Sequence, residues 1–421
     1  MNSYRFLLVL CLVWPGLSLA ADDFSVSVND NDISVSRTPA AGSQLIIWAT
    51  PAFSSQYRIQ QTIQQLARKG YEVWFVNLSE SLFMPAGPSS QRKISGDYIA
   101  ALIETAHRKT GKRITVVGRS YSAIPVLRGV REWQLKQTPG ADNYLNGVVL
   151  FSPELYATIP SLGLAAEYMP ITSATNVPMV IFQAEKRGNR WQLNSLLEKL
   201  QSGGAQVYVK LLKGVTGLYY DGDMSPATSQ MLERIPGDFE WAIKLLQRTP
   251  TSLQSQPLPQ TKLADGRGLD MGLTPFKGNP MPPPINLHDT TNQLYTRSNY
   301  TDKVTVINFW ATWCGPCVKE IPALNKLRQK MANQPFELIS VNYAEDPAEV
   351  KDFLNKVKVD FPVLLDNDGK VAAQWQVLVF PSTFIIGPQG KIVYGVSGAI
   401  HWDSADVVSQ LKQLLNTPLA E

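Results

Sequence analysis

Two cysteines separated by two residues are the part of this sequence best suited to chemistry. Cys314 and Cys317 lie in the stretch "WCGPC", and the only other cysteine in the 421-residue chain is Cys11. Such a close pair cannot staple a large fold, which leaves a small local disulfide, half of a zinc site or a redox-active dithiol. Zinc would need two further cysteine or histidine ligands, and the three histidines of the chain are scattered. The spacing therefore predicts a redox pair and no metal site.

The elements around the two thiols predict how each would react. The apolar run Val304–Trp310 is typical of a buried strand, and residues 315–331 have the spacing of a helix, so Cys314 falls at a helix N-terminus. The positive end of the helix dipole and the nearby N–H groups favour a thiolate at that point. We therefore expect Cys314 to attack a disulfide, and Cys317 to be buried one turn later and to resolve the mixed disulfide.

The stretch "VTVINFWATWCGPCVKEIPALNKL" resembles the active site of the TlpA/ResA-type thiol–disulfide oxidoreductases of the thioredoxin superfamily. The similarity covers residues 279–418, including "FPVLLDNDGKV" and "VFPSTFIIGPQGKIV". It implies a thioredoxin-like fold. Gly315 and Pro316 close the loop between the sulfurs, and the same Gly-Pro pair is found in thioredoxin, whose reduction potential is about −270 mV. The resemblance therefore favours a reductant over an oxidant.

The resemblance also implies roles for residues outside the cysteine motif. Phe380 and Pro381 fall where the superfamily has a cis-proline facing the disulfide; an ordinary trans proline at a strand start is the alternative. Glu320 shares a helix face with Cys317, and related proteins have an acid there. We expect Glu320 to transfer protons to and from Cys317, with a solvated helix residue as the alternative.

One residue near the motif distinguishes this chain from thioredoxin itself, and two tryptophans flank the cysteines. Thioredoxin carries its buried acid on the preceding strand, where this chain has Asn308. The difference favours the TlpA/ResA type. Trp310 and Trp313 flank the cysteines, and we expect one of them to belong to the core and the other to a contact surface.

A second motif lies in the first half of the chain. "GRSYS", residues 118–122, follows an apolar strand and precedes a helix, which is the context that a nucleophile elbow requires. Residues 22–248 alternate buried strands with helices, which predicts a mostly parallel sheet covered on both faces, and they resemble an α/β-hydrolase. The resemblance implies Ser120 as the nucleophile, with an oxyanion hole from the N–H of Tyr121 and one from Ala49–Ala52.

The catalytic base that such a serine requires is missing from the sequence. In the family, the catalytic histidine follows the last strand, and here Thr216 or Gly217 occupies that position. His107 lies instead in a predicted helix between two earlier strands. The acid position offers only Glu185. We therefore expect a degenerate hydrolase fold that binds or orients a partner, and an esterase-like or lipase-like serine hydrolase is the alternative.

Composition and the chain ends set the compartment and the domain plan. Residues 1–20 have the pattern of a secretory signal peptide, and an uncleaved membrane anchor is the alternative. Residues 249–278 are rich in Pro, Gln and Ser and predict a linker between a domain over 22–248 and one over 279–418. The 39 basic and 35 acidic residues are interspersed, which argues against nucleic acid as a partner. We expect no membrane span after signal cleavage.

These features together predict a periplasmic reductase of protein disulfides. The Cys314–Cys317 pair is its redox group, and no further cofactor is expected. The family resemblance implies a DsbD-like membrane protein as electron donor, and apocytochromes c among the protein substrates. The rival prediction is a periplasmic serine hydrolase with an attached redox domain.

Overall fold

The structure, a computed structural model, describes residues 22–51, 55–138, 140–220, 225–260 and 272–416. The predicted signal peptide and Cys11 lie outside these residues. Within the described ranges, every helix is too short or too polar to cross a membrane.

An eight-stranded sheet forms the first half of the molecule, which we call the N-terminal unit. Its strands in chain order are β1 Asp22–Val28, β2 Asn31–Thr38, β3 Gln44–Ala49, β4 Tyr71–Val76, β5 Arg113–Arg119, β6 Leu145–Phe151, β7 Met179–Ala184 and β8 Val207–Leu212. Their spatial order is β1-β2-β4-β3-β5-β6-β7-β8. β2 runs antiparallel to both of its neighbours and the other pairs are parallel, so the sheet is mixed.

Helices cover both faces of this sheet. They are α1 Gln56–Arg68, α2 Leu78–Ser81, α3 Pro88–Lys93, α4 Asp97–Thr110, α5 Ala123–Leu135, α6 Leu193–Ser202 and α7 Pro226–Arg248. α4, α5 and α6 contribute to the apolar core on one face, and α1 and α7 to the core on the other. Because both faces are covered, β6 is buried along its whole length and is apolar at nearly every position.

A six-stranded sheet forms the second half, which we call the C-terminal unit. Its strands are β9 Thr274–Pro275, β12 Val304–Trp310, β13 Phe336–Tyr343, β14 Val363–Asp366, β15 Ser382–Ile386 and β16 Ile392–Ser397, and a small separate hairpin is made by β10 Leu287–His288 and β11 Leu294–Tyr295. The spatial order is β14-β13-β12-β15-β16-β9. The helices are α8 Gly315–Lys330, α9 Pro347–Leu354, α10 Lys370–Gln374 and α11 Ala405–Leu415. β12 lies inside the sheet and is buried along its length, so α8 begins close to the buried end of β12.

The segment between the two sheets is attached to both. Near its start, Asn143 and Gln134 of the N-terminal unit donate side-chain hydrogen bonds of 2.8 Å to the backbone carbonyls of Thr251 and Ser252. Near its end, β9 pairs with β16, five residues before the predicted domain start at 279. Residues 261–271 lie outside the described part of the chain.

The two units pack against each other around the cysteine motif. Tyr220 donates a hydrogen bond of 3.3 Å to the carbonyl of Trp313, and their rings meet edge to face at 6.3 Å. Leu162 of the N-terminal unit belongs to an apolar cluster of the C-terminal core. At Gly188, a Cβ atom would lie 2.6 Å from the carbonyl oxygen of Leu378, so the backbones of the two units approach too closely there for a side chain.

We expect Gly188→Ala to loosen the contact between the two units. The added methyl group has no space unless the Leu378 backbone moves, so the cysteine motif should become more accessible. Alkylation of the reduced protein, followed by mass spectrometry, should then be faster at Cys314 than in the native chain. Gly237→Ala is the matched control because no atom lies within 4 Å of the Cβ it adds. Equal alkylation rates in the two variants would contradict the expectation.

Candidate functional site

Cys314 and Cys317 form a disulfide at the junction between β12 and α8. Cys314 is the N-cap residue of α8, and its Sγ accepts a hydrogen bond of 3.3 Å from the backbone N–H of Cys317. Gly315 and Pro316 form the first turn. Cys314 is 4% exposed and Cys317 is 1% exposed. The helix N-terminus therefore directs the Cys317 N–H at Cys314 Sγ, which favours a thiolate there, and Cys317 is the less exposed of the two cysteines.

Glu320 lies one turn further along α8, buried on the face of the helix that carries Cys317. Its Oε1 accepts a hydrogen bond of 2.9 Å from Asn308 Nδ2, and its Oε2 accepts one of 2.9 Å from Trp402 Nε1. Burial raises the pKa of Glu320 to about 7, although both donors favour the ionised form. The structure thus places a carboxyl that can hold or release a proton near neutral pH beside the buried cysteine.

The raised pKa makes the ionised Glu320 unfavourable for folding. Below pH 4.5 the group is protonated in the folded and unfolded chains alike, and it has no effect on the pH dependence of stability. As pH rises to about 7, the unfolded chain loses this proton first, so the free energy of unfolding falls by roughly 3 kcal/mol. Retaining such a cost is typical of a site that serves chemistry rather than stability.

Asn308 and Trp402 hold the Glu320 carboxyl from two different elements. Asn308, on β12, also donates a hydrogen bond of 2.9 Å to Thr383 Oγ1 on β15, which fixes its amide. Trp402 is fully buried in the turn before α11. Sequence reasoning missed Trp402, because it is 82 positions from Glu320 and belongs to no motif.

The loop that precedes β15 lies beside the disulfide. The Phe380–Pro381 peptide bond is cis. The Phe380 ring packs against Trp313 at 5.8 Å and against Tyr343 at 4.7 Å. Trp313 is half-buried and contacts the N-terminal unit, whereas Trp310 is 2% exposed and donates to Ser340 Oγ at 3.1 Å. Trp310 therefore belongs to the core, and Trp313 lies at the contact between the two units.

A second buried acid supports the loop before the cysteines, and sequence reasoning missed it. Glu345 accepts hydrogen bonds from the backbone N–H of Thr312 at 2.7 Å, from the Thr312 hydroxyl and from Asn342 Nδ2 at 2.7 Å. Burial raises its pKa above the usual range for a carboxyl. Glu345 therefore fixes the turn that presents Cys314, from a position 31 residues away in sequence.

The "GRSYS" motif has the backbone shape of an elbow. Ser120 has φ of 50°, a left-handed conformation that non-glycine residues seldom adopt, at the junction between β5 and the helical turn Ser120–Ser122 before α5. Ser122, which stands in place of the second glycine, accepts a hydrogen bond of 2.8 Å from the N–H of Arg119 and donates one of 3.0 Å to the carbonyl of Ala49. The serine therefore ties the elbow to the end of β3.

The described residues around Ser120 do not include an imidazole. Thr216 and Gly217 line the cavity next to Ser120, at the position where the sequence lacked a histidine. His107 stacks on Tyr144 with ring centroids 3.8 Å apart, and Glu185 accepts a hydrogen bond from the N–H of Gly214 at the exposed end of β7. Within the described part of the chain, neither His107 nor Glu185 is therefore placed to act as the base for Ser120.

The second donor of the expected oxyanion hole is also restricted. In the range Ala49–Ala52, the N–H of Thr50 donates to the carbonyl of Val76 at 3.2 Å, and Pro51 has no N–H. Ala52 lies outside the described residues. Tyr121 lines the same cavity as Ser120, and burial raises the pKa of its hydroxyl.

The elbow and the disulfide open onto one cavity. Ser120 and Tyr121 line it from the N-terminal unit, and Cys314 and Pro316 line it from the C-terminal unit. Its volume is about 300 Å³. No group of three or more His, Cys, Asp or Glu residues within the described ranges is arranged to hold a metal ion.

Residues 276–415 match the redoxin family. Over 118 residues the chain is 36% identical to thiol–disulfide oxidoreductase ResA of Bacillus subtilis, an alignment covering 28% of this chain and 66% of the relative. It is 30% identical over 118 residues to ResA of Geobacillus thermodenitrificans, covering 28% of this chain and 68% of that relative. A Chlorobium tepidum structure assigned as thiol:disulfide interchange protein DsbE aligns with 27% identity and a TM-score of 0.31, covering 32% of this chain and 96% of the other.

These comparisons bear on the C-terminal unit. The chain spans just under two thirds of the Bacillus subtilis relative and 58% of the Bacillus thuringiensis one. The resemblance of the C-terminal unit to ResA-type proteins is confirmed. The N-terminal unit lies outside the residues that match the redoxin family.

We expect Trp402→Phe to raise the pKa of Glu320 above its value of about 7. The change removes the indole N–H that stabilises the carboxylate and keeps an aromatic ring in the core. Titration of the Glu320 carboxyl by carbon-13 NMR measures the effect. Trp310→Phe is the matched control, since that indole donates to Ser340 instead. An unchanged titration in Trp402→Phe would show that the indole does not hold the carboxylate.

Proposed function

The chain belongs to the ResA-type thiol–disulfide oxidoreductases through its C-terminal unit, and we propose that it reduces disulfides with the Cys314–Cys317 dithiol. The observation that carries the proposal is the arrangement along α8. The attacking sulfur caps the helix, the second sulfur lies buried one turn on, and a carboxyl with a pKa of about 7 follows on the same face. Nucleophile, resolving thiol and proton carrier are thus held on one rigid element.

The reaction proceeds in two exchange steps. The Cys314 thiolate attacks one sulfur of the substrate disulfide, which forms a mixed disulfide and releases the other substrate sulfur as a thiolate. Cys317 then loses its proton to Glu320 and attacks Cys314 Sγ, which releases the second substrate sulfur. Two electrons pass to the substrate and the Cys314–Cys317 disulfide is left. Asn308 and Trp402 position Glu320 for this proton transfer.

The proposal names protein disulfides as the substrate, because the ResA relatives are thiol–disulfide oxidoreductases. The signal-peptide pattern of residues 1–20 supports export, so the reaction is assigned to the periplasm. A DsbD-like membrane protein would return electrons to Cys314 and Cys317, and apocytochromes c are candidate substrates. Phe380 and Pro381, beside the disulfide, would contact the substrate strand.

We further infer that the N-terminal unit is a degenerate α/β-hydrolase-like domain with a binding or orienting role. Support comes from the strained elbow at Ser120, from the strand–turn–helix context around it, and from helices on both faces of the sheet. Thr216 and Gly217 lie where a catalytic histidine would be needed. The domain keeps the shape of a hydrolase site without its base.

We expect Cys317→Ser to trap covalent complexes with substrate proteins and Cys314→Ser to trap none. The first variant keeps the attacking thiolate but cannot resolve the mixed disulfide, whereas the second cannot form it. The measurement is non-reducing electrophoresis of each variant recovered from cells, with mass spectrometry of the bands. Dithiol-dependent insulin reduction by the native chain provides the activity readout. Trapping by both variants alike, or an inactive native chain, would contradict the proposal.

We expect a fluorophosphonate probe to leave Ser120 unlabelled. The hydroxyl lacks an imidazole to remove its proton, so its reactivity should equal that of an ordinary serine. The measurement compares labelling of the native chain with labelling of Ser120→Ala, with an active serine esterase as positive control. Labelling that the substitution abolishes would favour the serine-hydrolase alternative.

A further inference from the structure

Five aromatic side chains form a line of contacts that begins and ends in the N-terminal unit and passes beside the disulfide. In the C-terminal unit, the Phe380 ring packs against Trp313 at 5.8 Å and against Tyr343 at 4.7 Å, measured between ring centroids. The N-terminal unit adds one residue at each end. We call the whole line the aromatic arc, and its members in order are Trp191, Tyr343, Phe380, Trp313 and Tyr220. The arc therefore joins the redox site to the N-terminal unit at two points.

Tyr220 holds the end of the arc that is next to the attacking cysteine. Its ring meets the Trp313 ring edge to face at 6.3 Å, and its hydroxyl donates a hydrogen bond of 3.3 Å to the backbone carbonyl of Trp313. That carbonyl belongs to the peptide group that joins Trp313 to Cys314. Tyr220 is itself fixed, because Arg58 of α1 donates a hydrogen bond of 2.8 Å to its carbonyl oxygen. The N-terminal unit therefore holds both the side chain and the backbone of Trp313.

Trp191 holds the other end of the arc. Burial raises the pKa of the Tyr343 hydroxyl to about 12, and a hydrogen bond from the Trp191 indole counters this rise. Trp191 lies in the helical turn Gly188–Gln192, which approaches the backbone of Leu378 in the loop before β15. Asn189 of this turn donates hydrogen bonds of 3.2 Å to the two carbonyls directly after β6. The turn that carries Trp191 is therefore tied to the sheet of the N-terminal unit.

Two inner members of the arc, Trp313 and Phe380, line the cavity onto which Cys314 opens. A polypeptide whose disulfide reaches Cys314 brings the residues next to its cysteines against these two rings. Ordering a side chain on binding lowers the affinity, and rings that are already ordered in the free protein avoid that cost. Contacts that hold the two rings should therefore favour a substrate large enough to touch them, and they should matter little to a small disulfide.

We propose that Tyr220 and Trp191 are positioning residues of the redox site, which hold Trp313 and Phe380 in place to contact a polypeptide substrate. The inference rests on the disulfide reduction proposed above and deepens it, because it gives the orienting role of the N-terminal unit two named residues and a defined target. The N-terminal unit then influences which disulfides the dithiol reduces. Polypeptide disulfides gain from the contact, and small-molecule disulfides do not.

The test compares a protein disulfide with a small one. The full-length chain is reduced, freed of reductant and mixed with either insulin or bis(2-hydroxyethyl) disulfide, and the oxidation of Cys314 is followed by quenched alkylation and mass spectrometry. The readout is the ratio of the insulin rate constant to the small-disulfide rate constant, because a general loss of folding or of thiolate lowers both. We expect Tyr220→Ala and Trp191→Ala each to lower this ratio by roughly 2- to 10-fold.

A conservative variant and a matched control separate positioning from a general disturbance. Tyr220→Phe keeps the ring contact and loses the hydrogen bond to the Trp313 carbonyl, so the ratio should fall by less than in Tyr220→Ala. Trp241→Ala is the control and should keep the native ratio. Trp241 is 43% exposed and Trp191 is 41% exposed, but the Trp241 ring lies 5.4 Å from Lys210 Nζ and does not belong to the arc.

A double-mutant cycle tests whether Trp191 acts through Phe380. Tyr343 joins the two side chains, so Trp191→Ala should change the ratio by less than about 2-fold once Phe380→Leu has removed the ring at the end of that path. Effects of the two substitutions that simply add would show that Trp191 acts elsewhere, and they would contradict the positioning role of Trp191.

The outcomes separate this inference from the proposed function. Native ratios in Tyr220→Ala and Trp191→Ala would overturn the positioning role while leaving insulin reduction intact. Raised ratios would overturn it as well, because they would show that the N-terminal unit obstructs the protein substrate. A reduced native chain that neither disulfide oxidises would overturn the dithiol chemistry itself. Should the alanine variants not fold, Tyr220→Phe decides, since a lowered ratio supports the inference and an unchanged ratio contradicts it.

Discussion

Burial of a single carboxyl behind the disulfide is the constraint on which the redox site depends. Glu320 would be costly there without partners, and β12 and the turn before α11 each supply one donor, through Asn308 and Trp402. The strand that carries Asn308 also leads to the cysteines, and the helix that carries Glu320 begins with them. The strand and the helix that hold the Glu320 carboxyl are therefore the elements that hold the sulfurs. Glu345 plays the corresponding structural part for the loop at Thr312.

The N-terminal unit changes what this site can reach. Tyr220 contacts Trp313 next to the cysteines, and Arg119 and Arg187 line the cavity onto which Cys314 opens. The elbow at Ser120 thus lines the same cavity as the disulfide. An elbow-shaped turn does not by itself carry an activity, because function belongs to sites rather than to folds.

Local sequence patterns predicted most of the elements, and contacts between distant segments were not predictable. The strands Val304–Trp310 and Ser382–Ile386 have the predicted bounds because their apolar runs end sharply. The strand expected at Phe361–Leu365 begins at Val363, since Pro362 cannot donate to the ladder. Cys314, Cys317 and Glu320 were predictable because they share one helix. Trp402, Trp191 and Tyr220 were not, because only the tertiary fold brings them to the site.

The pairing of β9 with β16 has a consequence for where the chain can be divided. β9 is two residues long and completes the edge of the C-terminal sheet, and the next residue, Phe276, packs on Phe384 with ring centroids 5.8 Å apart. A fragment starting at the motif-based boundary of 279 would leave β16 with a bare row of amide and carbonyl groups. Exposed edges of this kind recruit strands from other molecules, so such a fragment is prone to intermolecular pairing along β16.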